Sequence, residues 1–301
     1  MSTLIIGCGY LGERLGARIQ ARGEPVWGLV RSAPRAEAIA RLGVEPVIGD
    51  VLKPETLRGL PRAERVFHAV GFDRAAGSTL AQVAVEGLRN VLIALPETVH
   101  RLVLASTTGV YGQTGGEWID ERSPAEPATE SGRVYLAAEQ VARDWAGGAR
   151  NLRVVVLRYA GLYGPGRVVR RALIERGQPI PGDPEKYLNL IAIDDAALAA
   201  LAALDARDPE ALYLVADDRP VLRGEYYSLA AALLGAPLPR FVSPEPGSID
   251  AGRDTASKRI RNGLLTTQLG VRLCFPDITT GLPHALGIRP GGDQSAGAGS
   301  T

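Results

Sequence analysis

The stretch Leu4-Ile5-Ile6-Gly7-Cys8-Gly9-Tyr10-Leu11-Gly12 decides the fold class of this chain. A short apolar run leads into three glycines with the spacing G-x-G-x-x-G, and a pattern of helical period follows. In that context the first glycine allows a tight turn, the second lets the backbone approach a pyrophosphate, and the third permits close packing of helix on strand. The start of the helix then favours an anion. The stretch predicts a dinucleotide-binding turn made by Gly7, Cys8, Gly9, Tyr10, Leu11 and Gly12.

Similar apolar runs recur along the chain and alternate with stretches of helical period. They cover residues 3–6, 26–30, 44–48, 65–69, 101–105 and 153–157. This alternation predicts βαβ units and a parallel sheet. The runs are apolar almost continuously, as expected for strands that helices cover on both faces. The predicted fold class is therefore α/β, a Rossmann-type doubly wound parallel sheet.

The texture of the sequence changes after Gly161, where glycine, proline and tyrosine recur as turn signals. A strand-like start and an alanine-rich helix return at 191–203, so the two units should interleave in sequence. We expect a Rossmann domain over 1–162 to which 190–205 returns. A smaller substrate lobe is expected over 163–189 and 206–288, and a disordered tail over 289–301, which is rich in glycine, serine and alanine.

Composition excludes several classes of protein. The chain has 301 residues, 46% of them hydrophobic and 22% charged, which is the balance of an ordinary globular protein. A net charge of +1 leaves no footprint for nucleic acid, and no apolar run approaches the roughly 20 residues that span a bilayer. No signal peptide is recognisable, and Cys8 and Cys274 are the two cysteines. We therefore expect a cytoplasmic protein that binds neither nucleic acid nor membrane.

The residues after the second predicted strand bear on which dinucleotide is bound. An acidic residue there favours the ribose 2′-hydroxyl of NAD, whereas an arginine accommodates the 2′-phosphate of NADP. This strand ends in Arg31 and Ser32 without a carboxylate, and Arg35 lies near enough in sequence to add a second arm to a phosphate clamp. The sequence favours NADP, with NAD as the other option. That Arg31 is a solvated loop arginine stays open.

Three single residues permit more than one interpretation. Asp50 follows the third predicted strand, where its carboxylate could accept from an adenine amine or cap the next segment. Cys8 lies beside a helix start that could lower its pKa, and we interpret it as adjacent to the cofactor. His68 ends the fourth strand, and we interpret it as a satisfied histidine at a sheet end. No metal is expected, because the three histidines are far apart in sequence.

Two further motifs follow the glycine turn in order. They are Ser106-Thr107-Thr108-Gly109-Val110-Tyr111-Gly112 and Leu157-Arg158-Tyr159-Ala160-Gly161-Leu162-Tyr163-Gly164-Pro165-Gly166. With them the chain resembles the extended short-chain dehydrogenases, which include the NAD-dependent epimerase/dehydratase proteins, over nearly its whole length. Beyond the turn and the two arginines, the resemblance implies cofactor contacts at Asp50, Val51, Ala69, Val70, Gly71, Ser106, Tyr159, Gly161 and Leu162.

The resemblance fails where that family carries its catalytic tyrosine and lysine. Thr107 matches the family's Ser/Thr, which would hold a substrate oxygen. The stretch 131–139 resembles the family's Tyr-Gly-x-Ser-Lys-Leu-Ala-Ala-Glu, which sets Ser131 in the tyrosine position and Tyr135 in the lysine position. No lysine follows a tyrosine by four residues anywhere in the chain. The hydroxyl of Tyr135 could reach the cleft, or its ring could pack against the cofactor. The pattern resembles the atypical branch of the family.

Two functions follow from these patterns. The first is an NAD(P)-binding short-chain dehydrogenase/reductase-like oxidoreductase or epimerase acting on an unidentified small hydroxyl, carbonyl or sugar-nucleotide-like compound, with Thr107, Ser131 and Tyr135 at the reacting end. The second is a catalytically silent NADP-binding sensor or protein-interaction module. Because members of the family often dimerise, a homodimer is left open.

Overall fold

A computed structural model of the chain describes residues 1–147 and 152–288. Its strands are β1 (Thr3–Ile6), β2 (Val26–Val30), β3 (Glu45–Ile48), β4 (Arg65–His68), β5 (Arg101–Thr107), β6 (Glu117–Ile119), β7 (Arg153–Tyr159), β8 (Gly161–Tyr163), β9 (Ile180–Pro181), β10 (Tyr187–Leu188), β11 (Leu190–Ala192), β12 (Leu212–Val215), β13 (Val221–Leu222), β14 (Phe241–Val242) and β15 (Lys258–Ile260). Its α-helices are α1 (Tyr10–Gln20), α2 (Ala33–Ala40), α3 (Gly87–Ala94), α4 (Glu130–Ala146), α5 (Arg171–Glu175), α6 (Ile193–Asp205), α7 (Arg223–Leu234), α8 (Ile249–Asp254), α9 (Gly263–Thr267) and α10 (Ile278–Leu286). The tail predicted to be disordered, 289–301, lies outside the described residues.

Seven strands form one parallel sheet in the order β3-β2-β1-β4-β5-β7-β12. β1 is an interior strand, because Thr3 pairs with Val26 on one side and with Arg65 on the other. The chain reverses direction across the sheet at β1, and ligands of doubly wound sheets bind outside the carboxyl ends of the strands at such a point. The predicted α/β class and the doubly wound parallel sheet are confirmed.

The strands are apolar throughout because helices cover both faces of the sheet. On one face Ile5 belongs to a buried cluster that includes Leu15 of α1 and the alanines of α6. On the other face Leu4 and Ile6 belong to a second cluster with side chains of α3 and α4. Alternate residues of one strand thus supply two separate cores, one on each face of the sheet.

A third buried cluster lies among the elements that follow β8. It includes Tyr163, Ile174, Leu190, Tyr226 and Leu282. One expectation is wrong in detail: β12 falls within the stretch 206–288 assigned to the substrate lobe, yet it pairs with β7 and extends the main sheet. A four-residue apolar run carries no signal of which partner it will pair with. The other domain boundaries stay predictions.

Within the described ranges, no helix combines the length and the apolar character needed to cross a bilayer.

Candidate functional site

The predicted glycine turn joins β1 to α1 at the carboxyl edge of the sheet. Gly7 has a positive φ of +86°, and a Cβ there would lie 2.7 Å from the Ala69 carbonyl oxygen and from the Val70 Cα. A Cβ at Gly12 would lie 2.9 Å from the Gly7 carbonyl oxygen. Close backbone packing therefore requires glycine at both positions, and it brings Ala69 and Val70 of the predicted site against the turn.

Gly9 is different, because no atom lies within 4 Å of the position that its Cβ would take. The fold therefore does not need a glycine there for packing. Gly9 is the N-cap residue of α1, and no side chain caps this end of the helix. The first N–H groups of a helix have no partner within the helix, and beside the start of α1 the Cβ position of Gly9 is open, so the backbone there can accept a phosphate. The turn fits the pyrophosphate of a dinucleotide.

The residues predicted to read the cofactor ribose lie after β2, but they do not form one clamp. The Arg31 side chain is 55% exposed and lies 3.6 Å from the Asp73 carboxylate. Ser32 is exposed at the start of α2. Arg35 donates to the Cys8 carbonyl at 3.1 Å and to the Glu13 carboxylate. Both arginines are exposed, but Arg35 is held against the glycine turn by these two partners, whereas Arg31 has the longer contact with Asp73.

Other residues of the predicted cofactor set have structural partners. Asp50 accepts from the Leu52 N–H at 3.0 Å through Oδ1, so its carboxylate shapes the following turn. The neighbouring Val51 is buried in the core on the α3 side of the sheet. Tyr159 is also buried, and its hydroxyl donates to the Ala196 carbonyl at 3.2 Å. These contacts account for all three residues without a cofactor.

Three further residues predicted to contact the cofactor, Gly71, Gly161 and Leu162, are exposed or half-buried. Gly71 follows β4 and has free space at its Cβ position, as Gly9 does. Gly161 is exposed in β8, where its N–H donates to the Asn189 carbonyl at 3.0 Å. Leu162 is half-buried beside it.

The three residues predicted at the reacting end occupy different environments. Thr107 ends β5, and its hydroxyl oxygen accepts from the Gly109 N–H at 3.0 Å, which leaves the hydroxyl hydrogen available. Ser131 is exposed in the first turn of α4, 3.2 Å from the Thr129 hydroxyl. Burial raises the pKa of Tyr135, and among the described residues its hydroxyl has no hydrogen-bond partner. These residues do not form a Ser–Tyr–Lys group.

A buried ionic network behind these residues was missed by sequence reasoning. Glu139 is completely buried and accepts from the Ser106 hydroxyl at 2.5 Å, while Arg158 donates to both of its oxygens at 2.9 and 2.6 Å. Arg158 also donates to the Tyr111 hydroxyl at 2.7 Å. Ser106, predicted as a cofactor contact, is therefore part of this network. The family-like stretch 131–139 ending in Glu139 was the only available signal, and it does not identify the partner.

His68 is not the satisfied histidine that the sequence suggested. Its side chain is buried, and its Nε2 has no hydrogen-bond partner. It lines a small cavity with Val70, Ala84, Leu104, Ala105, Ser106, Tyr135 and Ala138. Burial lowers the pKa of His68 from 6.5 to about 4, so the ring is neutral near pH 7. A neutral imidazole and a protonated tyrosine thus share one cavity at the carboxyl edge.

The suggested lowering of the Cys8 pKa is wrong. Burial, together with the nearby Glu13 carboxylate, raises the pKa of this thiol to about 12, and the opposing effect of Arg35 is smaller. Cys8 lies below the turn, where its Cβ and Sγ would be 3.0 Å from a Cβ at Gly28. It packs against β2 as an uncharged side chain.

Comparison with known proteins agrees with this geometry. The NAD dependent epimerase/dehydratase family matches residues 3–216. The protein YeeZ of Escherichia coli is 30% identical over 281 residues, covering 91% of this chain and 96% of YeeZ. A 3-diazoavenalumate denitrifying reductase of Streptomyces is 28% identical over 259 residues, covering 80% of this chain and 84% of the reductase.

A solved structure extends the comparison to the whole fold. The UDP-glucose 4-epimerase of Thermus thermophilus in complex with NAD superposes with a TM-score of 0.77 at 22% identity, covering 96% of this chain and 98% of the epimerase. The chain described here belongs to the NAD dependent epimerase/dehydratase family. It is an NAD(P)-binding protein of the oxidoreductase or epimerase type, and its cofactor is a nicotinamide dinucleotide.

Proposed function

We propose that this chain binds NADP(H) in preference to NAD(H) and transfers hydride to or from a small hydroxyl, carbonyl or sugar-nucleotide-like compound. The observation that carries the proposal is the free space at Gly9, beside the uncapped start of α1. Gly7 and Gly12 are required by backbone packing, but Gly9 is not. A ligand that needs close backbone approach explains its presence.

Each proposed cofactor residue has a defined part. The N–H groups of Tyr10 and Leu11 would hold the pyrophosphate, and exposed Arg31, with Ser32 beside it, would bind the 2′-phosphate. Because Glu13 and the Cys8 carbonyl already occupy Arg35, it supports the turn and does not form a second arm. When bound, the nicotinamide ring supplies or accepts the hydride.

Thr107 is proposed to orient the substrate. Its oxygen accepts from the Gly109 N–H, so the hydroxyl hydrogen is free to donate to a carbonyl or hydroxyl oxygen of the substrate. Tyr135 keeps its proton near neutral pH because burial raises its pKa and no cation lies beside it to oppose that effect. Tyr135 therefore acts as a neutral hydrogen-bond donor or as a packing residue, and Ser131 lies too far toward solvent to replace the family tyrosine.

The cofactor proposal is tested by titration calorimetry with NADP, NADPH, NAD and NADH on ligand-free protein. The key variant is Gly9→Val, whose side chain would enter the phosphate space. We expect at least a tenfold loss of affinity for every dinucleotide that the wild type binds. The matched control is Gly263→Val, at another glycine with no neighbouring atoms and far from the turn. Equal affinities in wild type and Gly9→Val would refute the assignment.

A second function, the catalytically silent NADP-binding module, has one observation in its favour. Ser131, which the sequence resemblance aligns with the family tyrosine, is exposed, and no lysine follows a tyrosine by four residues in the sequence. Incubation of NADPH deuterated at C4 with a panel of carbonyl compounds separates the two functions. Transfer of deuterium to any product excludes the silent module, whereas tight NADPH binding without transfer across the panel supports it.

We also propose a reducing compartment such as the cytoplasm, because both Cys8 and Cys274 are free thiols in the structure. We further propose that residues 163–189, together with the residues after β12, form a substrate lobe. A homodimeric assembly is proposed as well. Sedimentation equilibrium of the full chain tests the assembly.

A further inference from the structure

Lys258 is a buried cation without a counter-charge. It begins β15, its residue is 8% exposed, and its Nζ donates to the Tyr111 carbonyl at 2.7 Å. No carboxylate in the described part of the chain forms an ion pair with it. An ammonium has three hydrogens to donate, and removing it from water is costly unless an anion or several acceptors compensate.

Two carboxylates on elements that adjoin Lys258 or Tyr111 have other partners. Glu117 pairs with Lys258 in the register of β6 and β15, but its side chain is turned to the Gly115 N–H at 2.9 Å. Glu139, which lies behind Tyr111, is occupied by Arg158 and Arg143. Burial lowers the pKa of Lys258 to about 8, and no neighbouring acid raises it. The protein therefore retains an uncompensated charge at this point.

The position of Lys258 relates it to the site. Tyr111 follows the turn Thr108–Val110, which the Thr107 hydroxyl caps, so Lys258 holds the far end of the segment that begins with the proposed substrate-orienting residue. The lysine comes from β15, outside the main sheet. It therefore lies between the loop of the Rossmann sheet and the later part of the chain.

The other two lysines of the chain are not buried cations of this kind. Lys53 is exposed after β3, and Lys186 is paired with Asp254 at 3.4 Å. Arg259, the next residue of β15, stacks on the rings of Trp118 and Tyr187 and donates to the Gly116 carbonyl at 2.7 Å. Arg259 thus has partners for its guanidinium, whereas Lys258 has one carbonyl.

We propose that Lys258 binds an anionic oxygen group of the substrate, a carboxylate or a phosphate, at the boundary between the Tyr111 loop and β15. This inference rests on the proposed function, since it names the class of substrate that the site would take. It also supplies a cation from β15 to a site whose helix α4 contains no lysine.

The test uses the small number of lysines. The full-length protein is prepared with ¹³C-labelled lysine, and Lys53→Arg and Lys186→Arg variants assign the three side-chain signals in NMR spectra. Inorganic phosphate or acetate is then titrated at constant ionic strength against chloride. We expect a saturable shift of the Lys258 signal alone, with a rise in its pKa of about one unit when the anion is bound. Response to phosphate only or to acetate only identifies the anionic group.

Two matched variants separate binding from a structural role. Lys258→Met removes the buried charge, and Arg259→Met removes the adjacent charge on the same strand. We expect the Tm of Lys258→Met to equal or exceed that of the wild type, because an uncompensated buried charge is replaced by an apolar side chain of similar length. The rise in Tm that the effective anion produces in wild type should vanish in Lys258→Met and persist in Arg259→Met.

Two results would overturn the proposal. One is the absence of a saturable, Lys258-specific response to either anion. The other is a lowered Tm in Lys258→Met with the anion response retained, which would make Lys258 a structural tie to Tyr111. NADPH affinity is measured on the same variants. If the wild type binds none of the dinucleotides, the proposed function is refuted. The inference about Lys258 is then still tested, because the anion titrations do not require the cofactor.

Discussion

The glycine turn and the start of α4 lie at the same edge of the sheet, but they match the family's sequence pattern to different degrees. The turn retains every feature of its class, because its function depends on backbone N–H groups and on the absence of side chains at Gly7, Gly9 and Gly12. Within α4, Glu139 is fixed to Arg158, and the sequence resemblance predicts that Ser131 and Tyr135 occupy the family's tyrosine and lysine positions. The backbone geometry of the turn and the side chains of α4 can therefore be tested by separate substitutions.

The largest expected effect concerns the scaffold of α4. Glu139→Gln leaves the buried Arg158 guanidinium without its charge partner, and we expect the free energy of unfolding to fall by about 3–5 kcal/mol. Urea denaturation measures the change. The control is Glu130→Gln, an exposed carboxylate of the same helix, which should change stability by a few tenths of a kcal/mol. Equal effects of the two substitutions would show that the network does not hold the helix.

The cavity beside Tyr135 makes stability dependent on pH. Because burial lowers the pKa of His68 from 6.5 to about 4, the unfolded chain binds this proton more readily than the folded chain. Stability is therefore fully present above about pH 6.5 and falls as the pH drops toward 4, by an amount on the order of 3 kcal/mol. Unfolding free energies measured from pH 7 to 4 check this prediction.

The matched variants for that pH dependence are His68→Asn and His100→Asn. The first should flatten the profile, because it removes the buried titrating group, and the second should leave it unchanged, because His100 is exposed. A profile that keeps its slope in His68→Asn would assign the acid sensitivity to other groups.

The turn itself should be sensitive to a single methyl group. Gly7→Ala forces a side chain into a left-handed conformation and against the backbone of Ala69 and Val70. Gly23→Ala has a similar positive φ of +70° but no neighbouring atoms. We expect Gly7→Ala to cost about 2 kcal/mol more than Gly23→Ala in thermal unfolding, since overpacking adds to the backbone strain that both share. A difference near zero would mean that the turn relaxes to accept the methyl group.

The smallest expected effect is on cofactor preference. Arg31→Asp should lower the ratio of NADP to NAD affinity by about tenfold, which is ~1.4 kcal/mol, because it removes the partner of the 2′-phosphate and supplies an acceptor for a ribose hydroxyl. Calorimetry with both dinucleotides measures the ratio. Arg41→Asp makes the same charge change after α2 and should leave the ratio unaltered. An unchanged ratio in both variants would remove Arg31 from the site.

The sequence predicts the structure of the glycine turn better than that of α4, because the turn depends on local contacts and α4 on distant ones. The turn is a contiguous stretch, so its spacing and its flanking apolar runs specify strand, turn and helix start by local rules. The parallel sheet and the burial of both of its faces also follow from that alternation. The class of fold and the kind of cofactor are therefore present in the sequence.

Long-range contacts could be found only in the tertiary structure. Glu139 and Arg158 are 19 residues apart, and Lys258 donates to a carbonyl 147 residues earlier in the chain. β12 pairs with β7, a partner that its own sequence does not predict. The unsatisfied Nε2 of His68 likewise depends on which side chains enclose it. Composition and spacing report local preference and burial, whereas partners for buried charges are chosen by the packing of distant segments, and that packing decided the character of this site.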